Sequence, residues 1–292
     1  MKKLMLAAFG FTVVTAAAVL AQNAQAPTPP PMTVDKIADD LFVIRGEGGN
    51  VTVYVTNDGV VLVDDKFERN YDEMQAKLKT ITDKPVKLVV NTHAHPDHTG
   101  GNAKFASTAK LLAHTNARAV MEKGKQPGLP EAYIDQSRIT MGGKQIQVMS
   151  LGACHTDGDT FVYFPAPRVL ATGDCFNTGN GNGVNLTGRP TFGFYIDYGS
   201  GGTLLGRAKV ADAALKLNFT TVVPGHGPVT NRAGFEKWRT DVNGIITRVR
   251  GMVKEGKSKD DVASAMVTEF GWEQGGRTIT ASLEPMMKEL GQ

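Results

Sequence analysis

The chain has 292 residues, of which 41% are hydrophobic and 21% charged. These are the proportions of an ordinary globular protein, long enough for one large core or two small ones. The formal charge of +3 becomes +1 without residues 1–26, which hold two lysines and no acid. A chain so nearly neutral has no electrostatic ground for binding nucleic acid or an anionic membrane.

Residues 1–26 have the form of a secretory signal peptide. Lys2 and Lys3 make a positive start, residues 4–20 are apolar, and Ala24-Gln25-Ala26 offers an A-x-A cleavage site. Pro27 disfavours a cut after Ala26, and a cut after Ala21 is the second choice. Gly10, Thr12 and Thr15 interrupt the apolar run, which speaks against a retained membrane anchor. The expected address is the periplasm or the extracellular medium. Residues 27–39 read as a flexible lead-in, with four prolines in the first eight positions. One domain with C-terminal helices is expected over 40–292.

Strands are expected at 41–44 and 51–55, with Glu47-Gly48-Gly49-Asn50 as the hairpin turn. A third, at 59–63, ends at Asp64-Asp65, where a carboxylate can support a ligand imidazole. Asn70 opens a helix with Glu73 placed for a capping box. Tyr71, Met74, Leu78 and Ile81 form its buried stripe. A strand at 86–90 then runs into His93-Ala94-His95-Pro96-Asp97-His98, which holds three of the six histidines. In an extended loop His93 and His95 project to one side, leaving Asp97 and His98 to turn toward a second ion. Pro96 argues against a regular helix through this stretch and holds Ala94-His95 extended. One ion needs three or four ligands, so the surplus points to two.

Residues 110–113 read as a strand and 115–123 as a helix, with His114 between them as a structural histidine. Residues 124–136 read as an irregular rim. Gly142-Gly143 joins strands at 138–141 and 145–151, and short strands follow at 160–164 and 169–171. His155 follows the hairpin and Asp174 the last strand. Cys154 and Cys175 stand beside them. Export permits a disulfide, but cysteines in different strands are often misdirected, and these two read as small packed residues. Residues 176–202, with eight glycines, four asparagines and several aromatics, read as a substrate-side loop. Its candidate contacts are Asn177, Arg189, Tyr195 and Tyr198.

The next helix has Leu204, Ala208, Ala211 and Leu215 as its apolar face, and a strand at 221–224 delivers His226. Phe235, Trp238, Val242, Ile245, Val249 and Met252 recur three and four apart, which marks a helix packed on the domain. Ser258 with Asp261 caps another, running through Val262 and Met266. Strand blocks alternating with helices call for two sheets covered outside by helices.

The His93–His98 stretch resembles the HxHxDH signature of the metallo-β-lactamase superfamily. The rest of that family's pattern follows in order as His155, Asp174 and His226. The resemblance implies an α/β fold, the αββα sandwich of two mixed β-sheets flanked by helices. It implies that His93, His95 and His155 hold one divalent ion and that Asp97, His98 and His226 hold the other. Asp174 would bridge them, and Asp64 would support a ligand from behind. Cys154 departs from the family, which usually has glycine there.

An all-nitrogen and oxygen ligand set makes Zn2+ the expected metal, and the carboxylate bridge also tolerates Fe or Mn. Metal-bound water ionises near neutral pH, Asp97 is placed to orient it, and the second ion can stabilise the oxyanion. The implied substrate is a small molecule with a carbonyl: a lactone, thioester, ester or β-lactam. Lactamases with a cysteine ligand differ at Asp174 and tend to carry lysine where Asn177 stands; the other lactamase class has serine in place of Asp174. Asp174 is similar to the ligand of lactonases and glyoxalase-type hydrolases, and export argues against a glutathione thioester. The alternatives are a β-lactamase, a metal-binding module without turnover, and a di-iron oxidoreductase. Electron-transferring relatives usually have glutamate in place of His95.

Overall fold

The computed structural model describes residues 31–133, 135–179 and 194–292. The signal peptide expected at 1–26 and the candidate Arg189 lie outside the described residues. Among the described residues, no helix is long and apolar enough to cross a membrane.

Two sheets stack face to face. The first holds, in spatial order, β1 (Thr33–Ala38), β2 (Leu41–Arg45), β3 (Val51–Val55), β4 (Val60–Val63), β5 (Val86–Val90), β6 (Lys110–His114) and β7 (Glu131–Tyr133). Neighbours are antiparallel from β1 to β4 and parallel from β4 to β7. The second holds β8 (Gln136–Met141), β9 (Lys144–Met149), β10 (Phe161–Phe164), β11 (Val169–Ala171), β12 (Thr221–Val223) and β13 (Thr230–Asn231). Only β11 and β12 pair in parallel there. The helices are α1 (Tyr71–Ile81), α2 (Pro96–Thr99), α3 (Asn102–Phe105), α4 (Thr115–Lys123), α5 (Leu204–Ala214), α6 (Arg232–Lys254), α7 (Lys259–Phe270) and α8 (Leu283–Leu290).

The period-two alternation of strands sorts side chains into layers. Along β4, Val61 and Val63 face Val148, Val162 and Phe164 of the second sheet. Val60 and Leu62 face Met74 and Leu78 of α1. With both faces covered, β4 is apolar throughout. On the other side, Phe161, Leu170 and Val222 meet α5 to α8. All six residues of the α6 stripe are buried. This is the expected αββα sandwich, and Ser258 and Asp261 form the capping box read from their spacing.

Five local expectations need correction. The lead-in is shorter than its prolines suggested, because β1 pairs antiparallel with β2 directly after Met32. Asn70 does not cap α1: a 3-10 turn at Glu68–Asn70 runs straight into the helix, so Asn70 has helical dihedrals and its side chain makes no capping bond. Its amide donates to Glu47 instead, and Glu73 accepts from the Met32 backbone N–H. Pro96 does not prevent a helix but starts one, at the first position of α2, where its missing N–H costs nothing. His95 before it is extended, as expected. The stretch 124–136 contains β7, which is too short to show a period. The buried face of α5 is Leu204, Arg207, Val210, Ala211 and Ala214, rotated to include an arginine.

Trp238 lies about 5 Å from the rings of Phe176 and Phe235. Trp238→Ala is expected to cost roughly 3–5 kcal/mol, read as a lower urea midpoint with an unchanged slope.

Candidate metal centre

The site is built where strands end on one rim. β4 runs into Asp64, β5 into His93–His98, β11 into Asp174, and β12 into His226; His155 follows β9. All seven expected ligands come together. The ligand atoms of His93, His95, His155 and Asp174 lie within 4.8 Å of one another, as do those of Asp97, His98 and His226. His155 Nε2 is 3.1 Å from His95 Nδ1, and His98 Nε2 is 3.3 Å from His226 Nε2. Asp174 faces both groups. Its Oδ1 is 3.3 Å from His98 Nε2 and from His226 Nε2, and its Oδ2 is 3.8 Å from His155 Nε2.

The outward nitrogens are tied down. His98 Nδ1 meets Asp64 Oδ2 at 2.7 Å, and His95 Nε2 meets Asp197 Oδ2 at 2.9 Å. His155 Nδ1 donates to the Tyr195 carbonyl at 3.0 Å. His93 Nδ1 lies 3.1 Å from Thr92 Oγ1. With those nitrogens occupied, the inward ones are left facing one another and Asp174. His93 Nε2 and Asp174 Oδ1 are buried without a hydrogen-bond partner. Such orphans are rare unless something else fills the space. The donor set fits divalent cations, with the outer partners fixing ring orientation.

Backbone approach is tight. A Cβ on Gly49 would lie 2.3 Å from His98 Cε1, and one on Gly225 would lie 2.0 Å from Asp174 Oδ1. Buried Lys66 straps the Gly49 loop down, donating to the Glu47 and Gly49 carbonyls. Asp64 takes the left-handed conformation (φ 65°), tolerated better by aspartate than by most residues. There it also accepts from Thr92 N and Oγ1.

Charge is divided unevenly. Burial, with help from the other imidazoles, holds His93 well below the usual histidine range. Burial likewise takes His155 down to about 3. Burial also opposes charge on His98 and His226, but Asp174, Asp64 and Asp97 outweigh it at His98, which rises well above its usual range. Asp174 and Asp97 raise His226 to about 9. For Asp97 the cost of burial is overcome by His98 and His226, and its carboxyl falls to about 2.

Cys154 and Cys175 form a disulfide, with Cα atoms 5.5 Å apart, against the expectation of two separate packed residues. β9 and β11 both pair antiparallel with β10, so their following loops leave the same end of the sheet and meet there. The bridge thus joins the neighbours of His155 and Asp174.

The substrate candidates divide. Asn177 Oδ1 accepts from the His226 backbone N–H at 2.8 Å, and so positions a ligand loop. Tyr195 stacks near His95, with ring centroids 6.4 Å apart, and stays a rim residue. Tyr198 donates to Glu289, packs on the C-terminal helices, and buttresses α5 without facing the ligands. His114 caps α4 by accepting from Asn116 N, the structural role expected. Asp197 was missed. It sits 102 positions beyond His95, the ligand it holds, in no spacing relation to any ligand motif, and no sequence signal marks it.

A four-layer sandwich with these ligand groups on its rim defines a class, the metal-dependent hydrolases of the αββα type. The chain belongs to the metallo-beta-lactamase superfamily, whose profile matches residues 44–226. It is 25% identical over 192 residues to the metallo-beta-lactamase type 2 of Elizabethkingia meningoseptica, covering 61% of this chain and 76% of that one. It is 28% identical over 217 residues to the 2,4-dinitroanisole O-demethylase subunit alpha of Nocardioides sp. (strain JS1661), covering 71% of this chain and 61% of that one. It is 26% identical over 249 residues to the beta-lactamase-like protein 2 homolog of Caenorhabditis elegans, covering 80% and 77%. Among solved structures it shares the fold of DIM-1 metallo-beta-lactamase (TM-score 0.60, 18% identity, 74% of this chain and 99% of that one). It also shares that of the metallo-beta-lactamase from Pontibacter korlensis (TM-score 0.61, 20% identity, 73% and 99%).

His95→Ala and Asp174→Ala are each expected to lose bound metal after dialysis, measured by elemental mass spectrometry; unchanged content in both would contradict the assignment. Raised above their usual range, His98 and His226 are expected to hold protons at pH 7 that a cation must displace, because it takes only neutral imidazole. Zinc uptake at pH 7 should therefore release roughly two protons, with affinity climbing as pH rises toward 9. Calorimetry in buffers of different ionisation enthalpy counts them.

Proposed function

We propose that this protein is an exported dinuclear hydrolase that opens a lactone or ester carbonyl. The observation that carries the reading is the meeting of seven nitrogen and oxygen donors in two groups that share the Asp174 carboxylate. When bound, two divalent cations, zinc by donor type, supply an ionised water near neutral pH and positive charge for a developing oxyanion.

The chain's own residues do the rest. His93, His95 and His155 would hold one cation, Asp97, His98 and His226 the other, with Asp174 between. Asp64 and Asp197 fix the rings of His98 and His95, so little reorganisation accompanies reaction. Asp97 is partly exposed at the rim and 3.2 Å from His226 Nε2. From there it can orient a nucleophilic water. Buried His93 and His155 line the floor and keep bulk water out. Export rests on residues 1–26, and the disulfide beside the site suits an oxidising compartment.

A β-lactam substrate is the second reading, favoured by the relatives that carry lactamase names. Against it, Asn177 is engaged with the His226 backbone and brings no cation for a drug carboxylate. The test is a panel of lactones, aryl esters and a chromogenic cephalosporin on the zinc-reconstituted chain. Turnover of lactones or aryl esters, lowered by orders of magnitude in His95→Ala, is expected. Preferential turnover of the cephalosporin would move the reading to a β-lactamase. Two bound ions with no turnover on the panel would leave a metal-binding module.

A further inference from the structure

The geometry points to the C-terminal segment 277–289 as a positioning device for one of the two metal groups, acting through residues 195–198. This rests on the two-ion reading above. The segment lies beyond residues 44–226, which carry the family match. Nothing in the ligand motifs requires it.

Residues 195–198 hold both outer partners of the first group. The Tyr195 carbonyl accepts from His155 Nδ1, and Asp197 Oδ2 meets His95 Nε2. The Asp197 backbone N–H donates to the His155 carbonyl at 2.9 Å, which ties the two loops together. Ile196, between them, is buried and belongs to neither sheet. Its backbone groups still need partners. Ser282 supplies both: its Oγ accepts from Ile196 N at 3.0 Å and donates to Ile196 O at 2.9 Å. Ser282 is itself fully buried.

Two further contacts pin the ends. Arg277 lies 3.9 Å over the Tyr195 ring and donates to its hydroxyl at 2.9 Å. Glu289 accepts from the Tyr198 hydroxyl at 2.6 Å and from Leu204 N and Leu205 N at 3.1 Å. One helical arm therefore grips the short segment at its start, middle and end.

The second group is held differently. Asp64, directly after β4, orients His98, and Asn177 holds the His226 loop. Neither is hydrogen-bonded to residues 277–289. Loosening the arm should thus weaken one cation site and spare the other, a signature that general destabilisation does not give. Loss of an outer partner typically costs 10–100-fold in metal affinity. Acting one contact further out, Ser282→Ala and Glu289→Gln should each weaken one site by about tenfold.

The experiment is a zinc titration of the full chain by calorimetry with competing chelator, alongside thermal unfolding of each metal-free variant. The wild type is expected to take two ions. Ser282→Ala and Glu289→Gln should weaken one of these steps about tenfold and leave the other within about twofold. Double variants assign the site. With His226→Ala the Ser282→Ala loss should add, because the remaining ion is the one affected; with His155→Ala it should add nothing. Equal weakening of both sites, or of neither, would overturn the proposal while leaving the two-ion reading in place. A wild-type chain that takes a single ion would overturn that reading, and this proposal with it.

Discussion

A carboxylate sunk among imidazoles is the interaction on which the molecule turns. Asp174 is buried, and an ionised group there costs several kcal/mol unless positive charge and hydrogen-bonding groups surround it. The chain supplies that charge from His226 and His98, which hold the Asp174 carboxyl well below its usual range against the cost of burial. The surrounding backbone is shaped to allow this crowding. Gly49 and Gly225 leave no room for a side chain, the Cys154–Cys175 bridge pins the loop that carries Asp174, and Lys66 draws down the loop above His98.

What was legible in the sequence follows from how local each determinant is. The β3, β4 and β5 strands are short runs of apolar residues with turns at their ends, and they fall where expected. The α6 stripe, Phe235 to Met252, spans about five turns, so its period is unambiguous. The candidate ligands were legible because four of the seven sit within six consecutive positions, and the resemblance then drew in His155, Asp174 and His226.

What was not legible depends on partners distant in sequence. β1 is a strand only because β2 offers it an edge, and β7 only because β6 does. The disulfide forms because two loops leave the same end of a sheet, which the spacing of 21 residues does not reveal. Asn70 failed as a cap because the preceding turn already had helical dihedrals. Asp197 and Ser282 act across 102 and 86 positions respectively. No periodicity connects such pairs. Only the folded arrangement brings them into reach.

The division of ligands between the sheets has a consequence for assembly. Residues 31–133 contribute His93, His95, Asp97 and His98, while the later half contributes His155, Asp174 and His226. Neither half alone can grip a cation fully. A cation held by these residues would therefore act as a rivet across the seam between the two slabs.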